Sequence, residues 1–212
     1  MPEPVKRRPY RSRRRQEQAE ATRVRVLDAA GGLFLERGYE GASIAAIAER
    51  AGVSPETVYA RFTTKRRLLG EVMRRAVRGD DPLPVPEQEG PRAVAAATDQ
   101  REQLRLFAED VVRRLERAAP LVAVVAGAAR SEPDLADLLA RLHANRRENL
   151  ATLVDALAGR GPLRLPRDAA LDTTWALTSP ELHQLLTTLG GWSRTAYRDW
   201  LAATLAELLL VS

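Results

Sequence analysis

Ser43 and Ser54 each stand directly before a short run of residues with helical apolar spacing, and Gly52 lies in the turn between the two runs. A serine in this place is a strong helix N-cap, because its hydroxyl accepts a hydrogen bond from a backbone N–H that the helix leaves unpaired. Pro55 follows Ser54 at the first helical position, where its missing N–H costs nothing. Gly52 supplies a backbone conformation that residues with a Cβ resist. The first run turns Ile44, Ile47 and Ala48 to one side, and the second turns Val58 and Phe62. This punctuation predicts two short helices joined by a tight turn. A longer helix precedes them, with Val26, Ala30, Leu33 and Phe34 on one face and Gly38 as its stop. Within it, Gly31 and Gly32 each cost about 1 kcal/mol relative to alanine, so packing must offset them. Thr64 caps a further run with Leu68, Leu69, Val72 and Met73 on its apolar face.

The pattern stays helical to the end, and no segment alternates as a strand would. The chain reads as all-α with nine or ten helices. Residues 1–18 hold seven basic residues, three prolines and almost nothing to bury, and predict a disordered basic arm. Residues 19–78 form the helix-turn-helix unit, its fourth helix connecting onward. Residues 79–97, with four prolines and two glycines between Gly79 and Pro91, predict a flexible linker or loop. Residues 98–212 form a larger helical domain. Its helices run through Leu104–Leu115, through the almost wholly apolar 120–129, from Ser131-Pro133 to Gly159, from Arg167 to Leu177, and from Ser179-Pro180 to Leu189. A last helix follows Ser193, where Trp192 and Tyr197 are spaced as a hydrophobic staple.

Charge separates the same two parts. Residues 1–78 carry 18 Lys+Arg against 9 Asp+Glu, and residues 79–212 carry 15 against 19, so the net is +9 on the first part and −4 on the second. A basic third on an acidic remainder points to a polyanionic partner for the first part. The absence of cysteine excludes disulfides and thiolate metal sites and fits a reducing cytoplasm. No stretch has the 18 or so apolar residues of a membrane span. The Arg-rich N-terminus lacks the apolar segment of a secretory signal. Catalysis finds no footing: the two histidines, His143 and His183, have no metal-binding neighbour on their own helices, and no phosphate loop or nucleophile elbow is present. No cofactor is expected.

The segment 22–39 ending Arg37-Gly38-Tyr39, Ile47-Ala48, Ala51-Gly52-Val53-Ser54, Thr57-Val58-Tyr59, Phe62, Lys65 and Leu68-Leu69 together resemble the N-terminal DNA-binding domain of the TetR (tetracycline-repressor) family, over some fifty residues without a gap. The resemblance implies a second short helix that enters the major groove. Ser54, Pro55, Glu56 and Thr57 then stand where base edges are read. Glu56 could accept from a cytosine amine, or serve only the helix dipole. Ser43, Tyr59 and Lys65 match the phosphate-clamping positions. Otherwise Tyr59 is a core ring on Phe62 and Lys65 a solvated helix-end charge. Arg61 departs from the aromatic or histidine frequent there and points to a phosphate or guanine contact. Arg11, Arg13, Arg14 and Arg15 in the arm would add affinity and salt dependence.

By the same resemblance the last two long helices would pair across a two-fold axis. Leu182, Leu185, Leu189, Trp200, Leu201, Leu205 and Leu208 are the candidates for a homodimer interface, the alternative being that they fill the monomer core. A small-molecule effector pocket is also implied, with Phe107, Val111, Val125, Leu142 and Trp175 as walls and Arg130, His143, Asn145 and His183 as polar residues on apolar helices. The whole predicts a sequence-specific DNA-binding regulator, a repressor released from a palindromic double-stranded operator by an effector. The alternatives are an activator of the same fold and a non-specific nucleic-acid-binding protein using the arm.

Overall fold

The computed structural model describes residues 8–211, which divide into two compact units with the boundary between Val72 and Met73. The first unit holds α1 (Arg8–Gly41), α2 (Ile44–Ala51), α3 (Pro55–Phe62) and most of α4 (Lys65–Arg78). The second holds the end of α4, a 3-10 turn at Val85–Glu87, α5 (Glu89–Ala96), α6 (Gln100–Ala128), α7 (Pro133–Ala158), α8 (Arg167–Leu177), α9 (Pro180–Gln184), a π-helical turn at Leu185–Leu189 and α10 (Arg194–Leu209). Among the described residues there is no sheet, only one isolated bridge between Leu163 and Leu210. No helix among them is long and apolar enough to cross a membrane.

In the first unit the local rules hold residue by residue. Gly38 breaks α1 with φ 69°, and Gly52 ends α2 in the left-handed region at φ 65°, ψ 41°. Ser43 Oγ accepts from Ala46 N at 3.1 Å, and Ser54 Oγ accepts from Thr57 N at 3.3 Å. Val26, Leu27, Ala30, Leu33, Phe34, Ile47, Ala48, Val58, Phe62, Leu68 and Leu69 are buried, which gives this small unit an apolar core. The glycine pair in α1 has a packing reason. A Cβ at Gly31 would touch Val72, and one at Gly32 would crowd the Arg50 guanidinium at 3.2 Å. Arg50 uses that space to make a two-point ion pair with Glu36 (2.7 and 2.8 Å), which joins α2 to α1 and holds the Glu36 carboxyl below its ordinary value. Ser43→Ala and Ser54→Ala are each expected to cost about 1 kcal/mol by loss of the cap, read as a lower midpoint in urea denaturation with an unchanged slope.

Two expectations are corrected. The segment expected as a disordered arm is helical from Arg8 onward, because α1 begins there; the arm's first seven residues lie outside the described ones. From Tyr10 to Ala30 the chain has no glycine or proline and is rich in Arg, Gln, Glu and Ala, all strong helix formers, so nothing halts the helix. The segment 79–97 is not structureless either. Gln88 is buried and donates from Nε2 to Arg78 O (3.1 Å) and Leu83 O (3.0 Å), and Val94 of α5 is buried. Its prolines shape a turn rather than a tether.

The second unit is built on α6, which packs on α5, α7, α9 and α10. Leu104, Ala108, Val112 and Leu115 of α6 meet Leu150, Leu153, Val154 and Leu157 of α7 and Tyr197, Leu201, Leu205 and Leu209 of α10 in one core. Where two apolar runs are visible in sequence, α6 is one helix through Pro120. Arg114 Nη1 donates to Val77 O at 2.8 Å and Arg117 Nε to Ala76 O at 2.9 Å, so α6 caps the carbonyl end of α4. Arg146 of α7 does the same for α8, donating to Trp175 O (2.7 Å) and Thr178 O (2.9 Å).

Candidate nucleic-acid interface

Helix α3 uses two side chains for folding, Val58 and Phe62, and leaves the others outward. Glu56, Thr57 and Tyr59 are exposed, Tyr59 at 53%, so it is not the buried ring that its alternative reading required. Pro55 and Arg61 are half-buried. The serine cap orders this face. Ser54 Oγ lies 3.1 Å from Thr57 Oγ1 as well as accepting Thr57 N, which fixes the Thr57 rotamer beside the helix start. The Glu56 carboxyl is held below its ordinary value by its own backbone N–H and by Ser54, so it is anionic at the positive end of the helix. Ser43 is exposed at the start of α2 and serves as its cap.

Lys65 lies at the start of α4, half-buried, and already has a partner. Its Nζ donates to Tyr39 O at 2.9 Å and sits 4.3 Å above the Tyr39 ring, itself stacked on Phe34 at 6.0 Å. An ammonium has three protons, so this anchor aims the group and leaves donors for a phosphate. Tyr39 is the residue that reading the sequence missed here; its place in the Arg37-Gly38-Tyr39 run was the signal. Between α3 and α4, Thr63 has φ 62°, ψ −49°, a strained backbone for a β-branched residue. Arg14 and Arg15 are exposed on α1, while the side chains of Arg11 and Arg13 lie outside the described residues.

The expected effector residues all lie in the second unit. Val125 is buried, Phe107 and Val111 lie against the core, Leu142 is half-buried, and Arg130 and Asn145 are exposed. His143 and Trp175 do meet, edge to face at 6.0 Å, and Trp175 lies under the Arg146 guanidinium at 5.1 Å. His183 meets the Tyr197 ring edge to face at 5.0 Å and lines a surface hollow of about 270 Å³ with Glu116, Pro120, Thr187, Trp192 and Arg194 among its walls. Of the interface candidates, Leu201 and Leu205 are wholly buried within the second unit's own core, and Trp200 packs against it. Their periodicity marks an apolar face and leaves open what covers it. Leu182 is half-buried, whereas Leu185, Leu189 and Leu208 are exposed, Leu189 at 80%. Trp192 meets Trp200 edge-on at 5.7 Å, and Trp200 lies 5.6 Å from the Tyr197 ring.

A model of bacterial regulatory proteins, tetR family, matches residues 26–72. The helix-turn-helix-type transcriptional regulator UidR of Escherichia coli is 38% identical over 58 residues, 27% of this chain and 30% of UidR. The transcriptional activator FasR of Mycolicibacterium smegmatis is 37% identical over 87 residues, 41% of this chain and 37% of FasR. The chain thus spans about a third of the length of the curated relatives it matches. Solved structures match over more of their length. NalD, the secondary repressor of the MexAB-OprM multidrug efflux pump in Pseudomonas aeruginosa, superposes with a TM-score of 0.66 at 22% identity, over 90% of this chain and 97% of NalD. A regulator from Saccharomonospora viridis in complex with choline superposes with a TM-score of 0.68 at 22% identity, over 90% of this chain and 98% of that one. At such identities the likeness is one of fold, and it agrees with the segment-wise match: the capped, glycine-turned helices of residues 26–72 are those that match the tetR family of bacterial regulatory proteins.

Proposed function

We propose that the chain is a sequence-specific DNA-binding transcriptional regulator that acts as a homodimer on a roughly palindromic operator, represses there, and is released by a small molecule held in the second unit. The observation that carries the reading is the outward face of α3. Glu56, Thr57 and Tyr59 are exposed on a helix capped at both its ends, in a part of the chain with a net charge of +9. Such a face suits a major groove. A dimer doubles a site that one short helix reads over only a few base pairs. The exposed Leu185, Leu189 and Leu208 supply apolar surface for it. Tyr59, Lys65 and Ser43 hold phosphates, Ser54, Pro55, Glu56, Thr57 and Arg61 face bases, and Arg11, Arg13, Arg14 and Arg15 add non-specific charge.

Selection of bound duplexes from a random pool tests this directly. A two-fold symmetric consensus is the expected result; absence of enrichment refutes the reading and favours a non-specific binder. On the selected operator, Tyr59→Phe and Lys65→Ala are expected to weaken binding about equally on all sequences, whereas substitutions at Glu56 or Thr57 shift preference at particular base pairs by about 1–3 kcal/mol. A second reading, activation from the same operator, is favoured by the similarity to FasR. A promoter fusion in a strain lacking the gene separates the two, since expression rises if the protein represses and falls if it activates.

A further inference from the structure

Among the described residues a positive φ is taken by four glycines, Gly38, Gly52, Gly79 and Gly191, and by one other residue, Thr63. At φ 62°, ψ −49°, Thr63 is the centre of a three-residue turn, because Thr64 N donates to Phe62 O across it at 2.6 Å. This is the positive-φ form of the γ-turn, the rarer and more strained of the two. The fold holds it from both sides. Thr63 N donates to Tyr59 O at 2.8 Å, Arg67 N to Thr64 Oγ1 at 3.1 Å and Leu68 N to Thr64 O at 3.0 Å. Phe62 on one side and Leu68 and Leu69 on the other are buried. A β-branched residue is the costliest kind to keep in such a backbone, where a residue without a Cβ would sit at ease.

The folded unit makes no use of the side chain kept there. Thr63 is exposed, and its hydroxyl has no hydrogen-bond partner among the described residues. The turn is closed by backbone groups alone, and the cap of α4 is the hydroxyl of Thr64. What surrounds Thr63 is the set of residues proposed to hold phosphates. Its N–H is bonded to Tyr59, Lys65 follows two residues later, and residues 61–67 hold four basic residues and no acid. An exposed hydroxyl among cations is a donor suited to a phosphodiester oxygen. Strained residues of this kind recur at ligand clamps, where the surrounding structure imposes the backbone.

We infer that Thr63 is a further DNA-binding residue: its hydroxyl donates to a phosphate of the DNA backbone beside Tyr59 and Lys65, and the strained turn presents it there. The inference rests on the reading of the first unit as the DNA-binding part. Three variants of the full chain test it by fluorescence anisotropy, on the selected operator and on a random duplex of equal length. Thr63→Val keeps the branched shape without the hydroxyl, Thr63→Ser keeps the hydroxyl, and Thr63→Gly removes the side chain and relaxes the turn. T63V and T63G are expected to bind both duplexes at least about fivefold more weakly, and T63S within about twofold of the parent. The slope of log affinity against log salt should stay at the parent's value, since a hydroxyl displaces no counter-ion, whereas Lys65→Ala lowers it by about one. T63G should also raise the midpoint of urea denaturation by removing the strain. A residue that serves the fold alone does not lose affinity while its replacement gains stability. T63V or T63G within about twofold of the parent, T63S as weak as T63V, a T63G midpoint below the parent's, or an altered base preference overturns the inference, and the regulator stands while the parent binds its operator. A parent that enriches no duplex overturns that reading and the contact with it.

Discussion

Phe34→Ala is expected to destabilise the first unit by about 3–5 kcal/mol, at least several-fold more than any single surface change in the reading face. The phenyl ring is wholly buried on α1 and stacks on Tyr39. A unit of its size has a total stability of roughly 4–10 kcal/mol, so the loss consumes about a third of it or more. On the proposed function, the effect also reaches DNA binding by a route that involves no contact with DNA. Tyr39 holds Lys65 through its carbonyl and its ring, and a cavity beneath Tyr39 frees the lysine from its aim. Urea denaturation followed by circular dichroism measures the first effect, and operator affinity at a temperature where F34A is still folded measures the second. A midpoint within experimental error of the parent would refute the assignment of Phe34 to the core.

Tyr197→Ala is expected to cost the second unit a similar ~3–5 kcal/mol, and Tyr197→Phe about 1 kcal/mol. The ring is fully buried, edge-on to His183 at 5.0 Å and tilted against Trp200 at 5.6 Å, while its hydroxyl donates to Leu177 O at 3.1 Å near the end of α8. The pair of variants divides ring from hydroxyl. pH gives a further check. Burial pushes the phenol up to about 12, whereas in the unfolded chain it ionises near 10. The folded state therefore holds the proton longer. The hydroxyl's contribution is complete below pH 10 and is lost as pH rises through 12, a decline on the order of 2 kcal/mol. The stability advantage of the parent over Y197F should shrink and then change sign across that window, and a constant difference would contradict it.

Local rules were legible because they depend on neighbours in sequence. Gly38 and Gly52 take the left-handed backbone that their positions demanded, and Ser43 and Ser54 cap as their spacing required. What failed depends on distant partners. The run 79–97 looks like a tether until Gln88 is seen pairing with the carbonyls of Arg78 and Leu83. Leu201 and Leu205 read as surface for a second copy until α6 and α8 are packed beside α10. Arg146 gives no sign in sequence that it closes α8, since its partners are carbonyls 29 and 32 residues away. The π turn is hidden for the same reason: Thr187 and Thr188 look like ordinary helical residues, and only the Gly190-Gly191 pair marks the irregularity.

Helix α3 keeps its two duties on separate residues. Val58 and Phe62 carry the folding, and Glu56, Thr57, Tyr59 and Ala60 face outward. Substitutions on a solvated face away from a cap cost within about 0.5 kcal/mol, which holds for Ala60; Glu56 and Thr57 lie in the first turn beside Ser54, but Thr57 N still reaches the cap whatever its side chain, so the unit can drift through many combinations at positions 56, 57 and 60 without losing its fold. With α3 as the proposed reading helix, that makes it evolvable: a duplicated gene can acquire a new operator while its core stays still, and a library randomised at those positions should yield folded proteins with diverse operators.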